Sequence, residues 1–192
     1  MRKLLLTGCG LVLALYLAPA LLLYDDEPKT GETASASIPT ATETAPTGDY
    51  STVTVLIDNQ PTQLPLEDYV AGVVAAEIPN DFPLEAIRAQ AVAARTYAVY
   101  KMAAGRPAAH PDADVCDDYH HCAAYRDIAV ETASGSDLSR VQQAVQDTEG
   151  EILTYDGAPI AAVFHCVSGP RTEAARDVWG EDVPYLQSVV SP

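Results

Sequence analysis

The stretch Leu64-Pro-Leu-Glu-Asp-Tyr-Val-Ala-Gly-Val-Val-Ala-Ala-Glu-Ile-Pro79 decides how the chain is read. At 100° per residue, Leu66, Val70, Val73 and Glu77 fall on one side of a helix, so the spacing predicts a helix over Leu66 to Glu77 with a carboxyl ending its apolar stripe. Pro79 stops that helix. Pro83 and Leu84-Glu85 then open a second, alanine-rich helix that runs to about Ala104 and ends at Gly105. Its packing face is Leu84, Ile87, Ala91, Ala94, Ala98 and Met102, and the small alanines allow a neighbour to come close.

Upstream, Ser51-Thr-Val-Thr-Val-Leu-Ile is a β-branched run closed by Asp58-Asn59, which predicts a strand and a turn. Downstream, Arg106 to Asp127 reads as a loop holding three of the four histidines and two of the four cysteines. A third helix is expected over Asp137 to Thr148, from Leu138, Val141 and Val145. Glu151 to Tyr155, the Asp156-Gly157 turn and Ala158 to His165 read as a β-hairpin. Tyr185 to Val190 is expected as a last strand. The fold class is therefore α+β.

The first fifty residues differ in kind. Arg2 and Lys3 precede an uncharged run from Leu4 to Leu23, long enough as a helix to cross a bilayer, with Asp25, Asp26 and Glu27 after it. The reading is a single-pass signal anchor over 1–24 in a cell membrane, with the domain on the extracytoplasmic side. A cleaved signal peptide, hinted at by Ala18-Pro19-Ala20, is the alternative. Residues 25–50, rich in Thr, Ala, Ser, Pro and Glu, read as a disordered linker. The folded domain is 51–192.

Charge narrows the partners. The chain of 192 residues carries 27 acidic and 11 basic residues, a formal charge of −16. Such a balance lacks the basic footprint of a nucleic-acid binder, so no nucleic acid is expected. Membrane contact is expected through the N-terminal helix alone.

Three groups could carry chemistry. Glu77, on an apolar stripe at a helix C-terminus, meets desolvation and the negative end of the helix dipole, the two influences that make a carboxyl a general acid. Its bland alternative is a carboxyl that reaches water from a frayed end. Arg95, on the flank of the second helix, is either a groove residue or a salt-bridged arginine. His110, Cys116, His121 and Cys122 supply two imidazoles and two thiols, a set that suits tetrahedral zinc. A Cys116–Cys122 disulfide is equally compatible with an exported chain and would leave Cys166 as an odd thiol. Trp179, Tyr97 and Tyr125 could stack on sugars, but read more simply as core aromatics.

Leu64 to Pro79, followed by Leu84-Glu-Ala-Ile-Arg-Ala-Gln-Ala-Val-Ala-Ala-Arg-Thr-Tyr97, closely resembles the stage II sporulation protein D family, peptidoglycan lytic transglycosylases with amidase-enhancer-like members. His121-Cys-Ala-Ala-Tyr125, Val178-Trp-Gly180 and Pro184-Tyr-Leu186 resemble its later markers. The resemblance implies that Glu77 is the catalytic acid, that Arg95 belongs to the active site, and that His110, Cys116, His121 and Cys122 hold a structural zinc with four protein ligands. It implies substrate binding by Ser168, Gly169 and Thr172, peptidoglycan glycan strands as substrate, and cell-wall hydrolases as partners. A non-catalytic wall-binding or amidase-activating module is the alternative function. Pro170 and Ala123 depart from the family's usual glycine and glutamine, and relatives run on past this point, so the domain is expected to be partial.

Overall fold

The computed structural model describes residues 48–191. The anchor and most of the linker expected from the sequence lie outside the described residues. Among the described residues, no helix is long and apolar enough to cross a membrane.

Strand β1 (Thr52–Ile57) alternates as expected, with Val53 and Val55 both fully buried. Burial of each such valine contributes about 1.5–3 kcal/mol. Asp58 and Asn59 both take positive φ, 48° and 63°. That geometry makes a two-residue hairpin turn whose twist suits the flanking strands. It returns the chain as β2 (Gln60–Pro65), pairing Thr52 with Pro65 and Ile57 with Gln60. No strand is expected over these residues from the sequence, and Pro61 and Pro65 are unusual in one. They are tolerated because β2 lies at the edge of the sheet, whose order is β2-β1-β3, with β3 at Val115–Cys116.

Pro65 and Pro83, with φ of −52° and −51°, lead into α1 (Leu66–Glu77) and α2 (Leu84–Ala104). Both helices have the predicted limits. Ile78 is extended, as a residue before proline prefers to be, and Gly105 ends α2 with φ 84°. Ile87, Ala91, Ala94 and Ala98 are buried on α2, and Leu66, Tyr69, Val70, Val73 and Val74 on α1. Helix α4 (Ser139–Asp147) completes the layer through Val141, Ala144 and Val145 and contacts both longer helices.

The loop predicted over Arg106 to Asp127 contains a two-residue strand, β3 (Val115–Cys116), parallel to β1. Asp114 fixes it there: its amide donates to the Thr54 carbonyl at 2.8 Å, and its carboxylate accepts the Thr54 amide at 2.8 Å. Arg106 closes the corner, donating to Asp114 at 3.1 Å and to the Thr54 hydroxyl at 3.2 Å. A short helix, α3 (Ile128–Ala133), follows, its N-terminus capped by the Asp127 carboxylate.

Beyond α4 the structure corrects the sequence reading. The hairpin reduces to β4 (Thr154–Tyr155) and β5 (Ala158–Pro159), with Asp156 and Gly157 at φ 50° and 76° in the turn. Residues 160–165 are not strand: the Ile160 amide still donates to the Leu153 carbonyl at 3.2 Å, but the ladder does not continue beyond it among the described residues. The strand expected over Tyr185 to Val190 is a single bridge, Arg171 to Val190. Trp179, on the short helix α5 (Ala175–Trp179), is 60% exposed and is no core aromatic.

Candidate functional site

Glu77 ends α1 half-buried, in the wall of a cleft of about 250 Å³. It is lined by Tyr69, Val73 and Tyr97 from the two helices, by Tyr119 and Cys122, and by Ala162 to Phe164. On its far side Glu77 also borders a more polar hollow of about 460 Å³ that contains Asn80, Arg126, Glu131 and Asp137. The carboxyl therefore stands between an aromatic compartment and a polar one.

One oxygen of that carboxyl is held: the backbone N–H of Ala124 donates to Glu77 Oε1 at 3.0 Å. The other has no hydrogen-bond partner among the described residues. The amide reaches Glu77 because the segment after Cys122 runs unusually close to α1. Gly72 permits this, since a Cβ there would lie 2.3 Å from the Tyr125 ring and 2.6 Å from the Arg126 carbonyl. The Arg126 amide donates to the Gly72 carbonyl at 3.2 Å, and Tyr125 stacks on Tyr69 with centroids 5.8 Å apart.

Two residues before Ala124 lies the His/Cys cluster. The ligand atoms of His110, Cys116, His121 and Cys122 all fall within 4.8 Å of one another. His110 Nε2 is 3.1 Å from His121 Nδ1, Cys116 Sγ is 3.5 Å from His121 Nδ1, and Cys122 Sγ is 3.4 Å from His110 Nε2. A tetrahedral cation with bonds of about 2.0–2.3 Å would set neighbouring ligands about 3.3–3.8 Å apart, which these spacings approach. Cys116 and Cys122 are unbridged thiols in this structure. His110 Nδ1 lies 2.9 Å from the Ala113 carbonyl. That partner places the ring proton on Nδ1 and turns the lone pair of Nε2 toward the cluster, the usual outer support of a ligating histidine. Burial, above all, pushes the Cys122 thiol up to about 11. A bound cation would offset that by favouring the thiolate. The four residues fit a metal ion.

Arg95 is elsewhere. It is 1% exposed and grips Glu67 with two parallel bonds, Nε to Oε1 at 2.8 Å and Nη2 to Oε2 at 2.6 Å. It also donates to the carbonyls of Glu151 at 3.2 Å and Val145 at 3.3 Å. Glu67 begins α1 and Glu77 ends it, ten residues or roughly 15 Å of helix rise apart. The structure does not bring Arg95 to Glu77. Its four bonds tie α1, α2, α4 and the chain at Glu151, four residues past α4, together.

Ser168, Gly169 and Thr172 line a third hollow of about 520 Å³ that shares Val163 and Phe164 with the Glu77 cleft. They adjoin the carboxyl's compartment without entering it. The Thr172 hydroxyl accepts the Val189 amide at 2.9 Å, and Ser191 donates to the Pro170 carbonyl at 3.0 Å, so this turn is tied to the last residues described. Two features of the site had no counterpart in the sequence reading, the Ala124 amide and Tyr119. A backbone donor leaves no residue-type signal. Tyr119 did leave one, as an aromatic lodged between Cys116 and His121.

Comparison with known proteins gives the site its context. The sequence profile described as "Stage II sporulation protein" matches residues 59–155. The chain is 38% identical over 148 residues to stage II sporulation protein D of Bacillus subtilis (strain 168), covering 74% of this chain and 42% of that protein. It is 41% identical over 134 residues to the protein of the same name from Bacillus amyloliquefaciens, covering 67% of this chain and 39% of that one. An amidase enhancer of Bacillus subtilis (strain 168) is 36% identical over 115 residues, 60% of this chain and 14% of its own. The chain thus spans less than half the length of these curated relatives. The matched stretch includes Glu77, the whole His/Cys cluster and the Gly72 contact between them, and on that stretch the chain belongs to the stage II sporulation protein family.

Proposed function

We propose that the chain is a peptidoglycan lytic transglycosylase that cleaves the MurNAc-GlcNAc linkage of glycan strands, with Glu77 as general acid and base. The observation that carries this reading is a carboxyl held through one oxygen by the Ala124 amide, in the wall of an aromatic cleft. Ordinary glycosidases need two carboxyl groups, one to protonate the leaving oxygen and one to attack or to activate water. Lytic cleavage needs one, because the 6-hydroxyl of the muramyl residue is the nucleophile. Glu77 gives its proton to the glycosidic oxygen, and the C1–O bond breaks with the electron pair leaving on the departing sugar. The resulting carboxylate takes the proton of the 6-hydroxyl as that oxygen closes on C1, forming the 1,6-anhydro ring and restoring the acid. Holding the hydroxyl in place supplies part of the acceleration, and acid/base transfer supplies roughly 10²–10⁴-fold more.

The metal in this reading is zinc. His110, Cys116, His121 and Cys122 would hold it, and with four protein ligands it supplies structure instead of an activated water. Ser168, Gly169 and Thr172 extend glycan binding into the adjoining hollow, and Arg95 serves the architecture that carries Glu77. The apolar segment before the linker anchors the domain outside the bacterial membrane.

Incubating the protein with purified glycan strands and measuring anhydro-muropeptides by mass spectrometry tests this reading, with Glu77→Gln as the control that releases none. The similarity to a protein named amidase enhancer favours a second reading, a non-catalytic module that binds wall or activates a hydrolase. That reading predicts sedimentation with glycan strands and no product from either protein.

A further inference from the structure

We propose that Tyr119 is a sugar-stacking residue of the Glu77 cleft, and that the His/Cys cluster serves substrate binding by holding it there. The inference rests on the wall-glycan reading above and adds to it a positioning residue and a task for the metal.

Tyr119 is 69% exposed, yet it lines the Glu77 cleft. Facing the same space from a different part of the chain is Phe164, 43% exposed. Single exposed apolar residues are ordinary, but two exposed aromatic rings bordering one cleft with a carboxyl in its wall are an arrangement with a use. An N-acetylated hexose presents a face of axial C–H bonds, and an aromatic ring is the complementary partner: large, rigid and, in tyrosine, polar at one edge. Tyr97 also borders the cleft, but its ring already carries Lys101 Nζ at 5.8 Å from the centroid. Trp179 lines the adjoining hollow instead.

Tyr119 is placed by the cluster. It sits between ligands Cys116 and His121, on a turn in which the amides of His121 and Cys122 donate to the Asp118 carbonyl at 3.0 and 2.8 Å. The Asp118 carboxylate accepts the His120 amide at 2.9 Å. The His120 ring lies against Tyr119 with centroids 3.9 Å apart, which supports one side of the ring and leaves the rest uncovered. A cation drawing in Cys116, His121 and Cys122 fixes both ends of this turn, and the tyrosine with it.

The test uses the full chain loaded with zinc and carrying Glu77→Gln to prevent turnover, titrated with peptide-free glycan fragments in a calorimeter. Tyr119→Ala is expected to weaken binding about fivefold to tenfold, while Tyr119→Phe and Tyr119→Trp stay within about twofold of the parent. Thermal midpoint and bound zinc are expected to be unchanged by all three. After zinc is stripped, binding is expected to fall for the parent, and Tyr119→Ala to add no further loss. Unchanged affinity in Tyr119→Ala overturns the stacking role, and so does a Phe variant as weak as the Ala variant. A further loss from Tyr119→Ala in stripped protein overturns the cluster's part in it. A parent that binds no glycan at all overturns the wall-glycan reading itself, a result distinct from the others.

Discussion

The Ala124 amide donates to Glu77 Oε1 at 3.0 Å, two residues after the cluster ligand Cys122. The carboxyl at the end of α1 and the His/Cys cluster are therefore one assembly, joined by a short piece of backbone. What loosens the cluster should loosen the carboxyl.

Metal removal is the first consequence. Chelation, or His110→Ala, is expected to release about one metal ion per chain and to loosen residues 106–127 while α1 and α2 stay folded. Hydrogen exchange read by mass spectrometry, beside metal analysis, checks this. Protection of 106–127 that is the same with and without metal would leave the cluster with no structural task.

Gly72 is the second. Its absent side chain lets Tyr125 and Arg126 lie on α1. Gly72→Ala puts a methyl group where the Arg126 carbonyl and Tyr125 ring now stand, and overpacking of that kind costs about 1–3 kcal/mol. Urea unfolding measures it. The same variant is expected to lose activity beyond its loss of stability, because Ala124 moves away from Glu77.

Arg95 separates architecture from chemistry. Arg95→Ala unpairs two carbonyls and a Glu67 carboxylate that still reaches water, and groups left unpaired in this way cost about 1–3 kcal/mol each. Replacing both members, Arg95→Met with Glu67→Leu, is expected to recover much of that stability and to retain activity per folded molecule. If the double variant folds well and is inactive, Arg95 has a role in the reaction.

Acid stability carries a further signature. Hydrogen bonds from Arg88 first, then Gln143, hold the Asp147 carboxyl below its ordinary 3.8. A carboxyl whose folded pKa is depressed contributes stability that is complete above the unfolded value and is lost as pH falls through the folded one. The stability difference between the parent and Arg88→Ala is thus expected to be constant above about pH 5 and to shrink below about pH 4. Urea titrations across that range measure it.

How much of this could be read from the sequence differs by element. The limits of α1 and α2 were legible because their signals are local: prolines before and after, Gly105, and apolar residues at helical spacing. β2 was not, because Gln60-Pro-Thr-Gln-Leu-Pro65 has no strand pattern of its own and takes its register from the Asp58-Asn59 turn. The apolar runs after Pro159 and around Tyr185 resemble strands, but a strand needs a partner as well as a pattern, and among the described residues only the Arg171 bridge supplies one. The ligand set was legible from residue types alone, and its two thiols are unbridged in this structure. Arg95 was ambiguous because its partner, Glu67, lies 28 residues away. The amide that holds Glu77 has no side chain to betray it.

Bond cleavage is assigned to the carboxyl of Glu77, and product analysis on purified glycan strands puts that assignment at risk. The parent is expected to release 1,6-anhydro-muramyl products, and Glu77→Gln, equally stable and equally bound to glycan, to release them at least about 10²-fold more slowly. Equal release by the two proteins would contradict it.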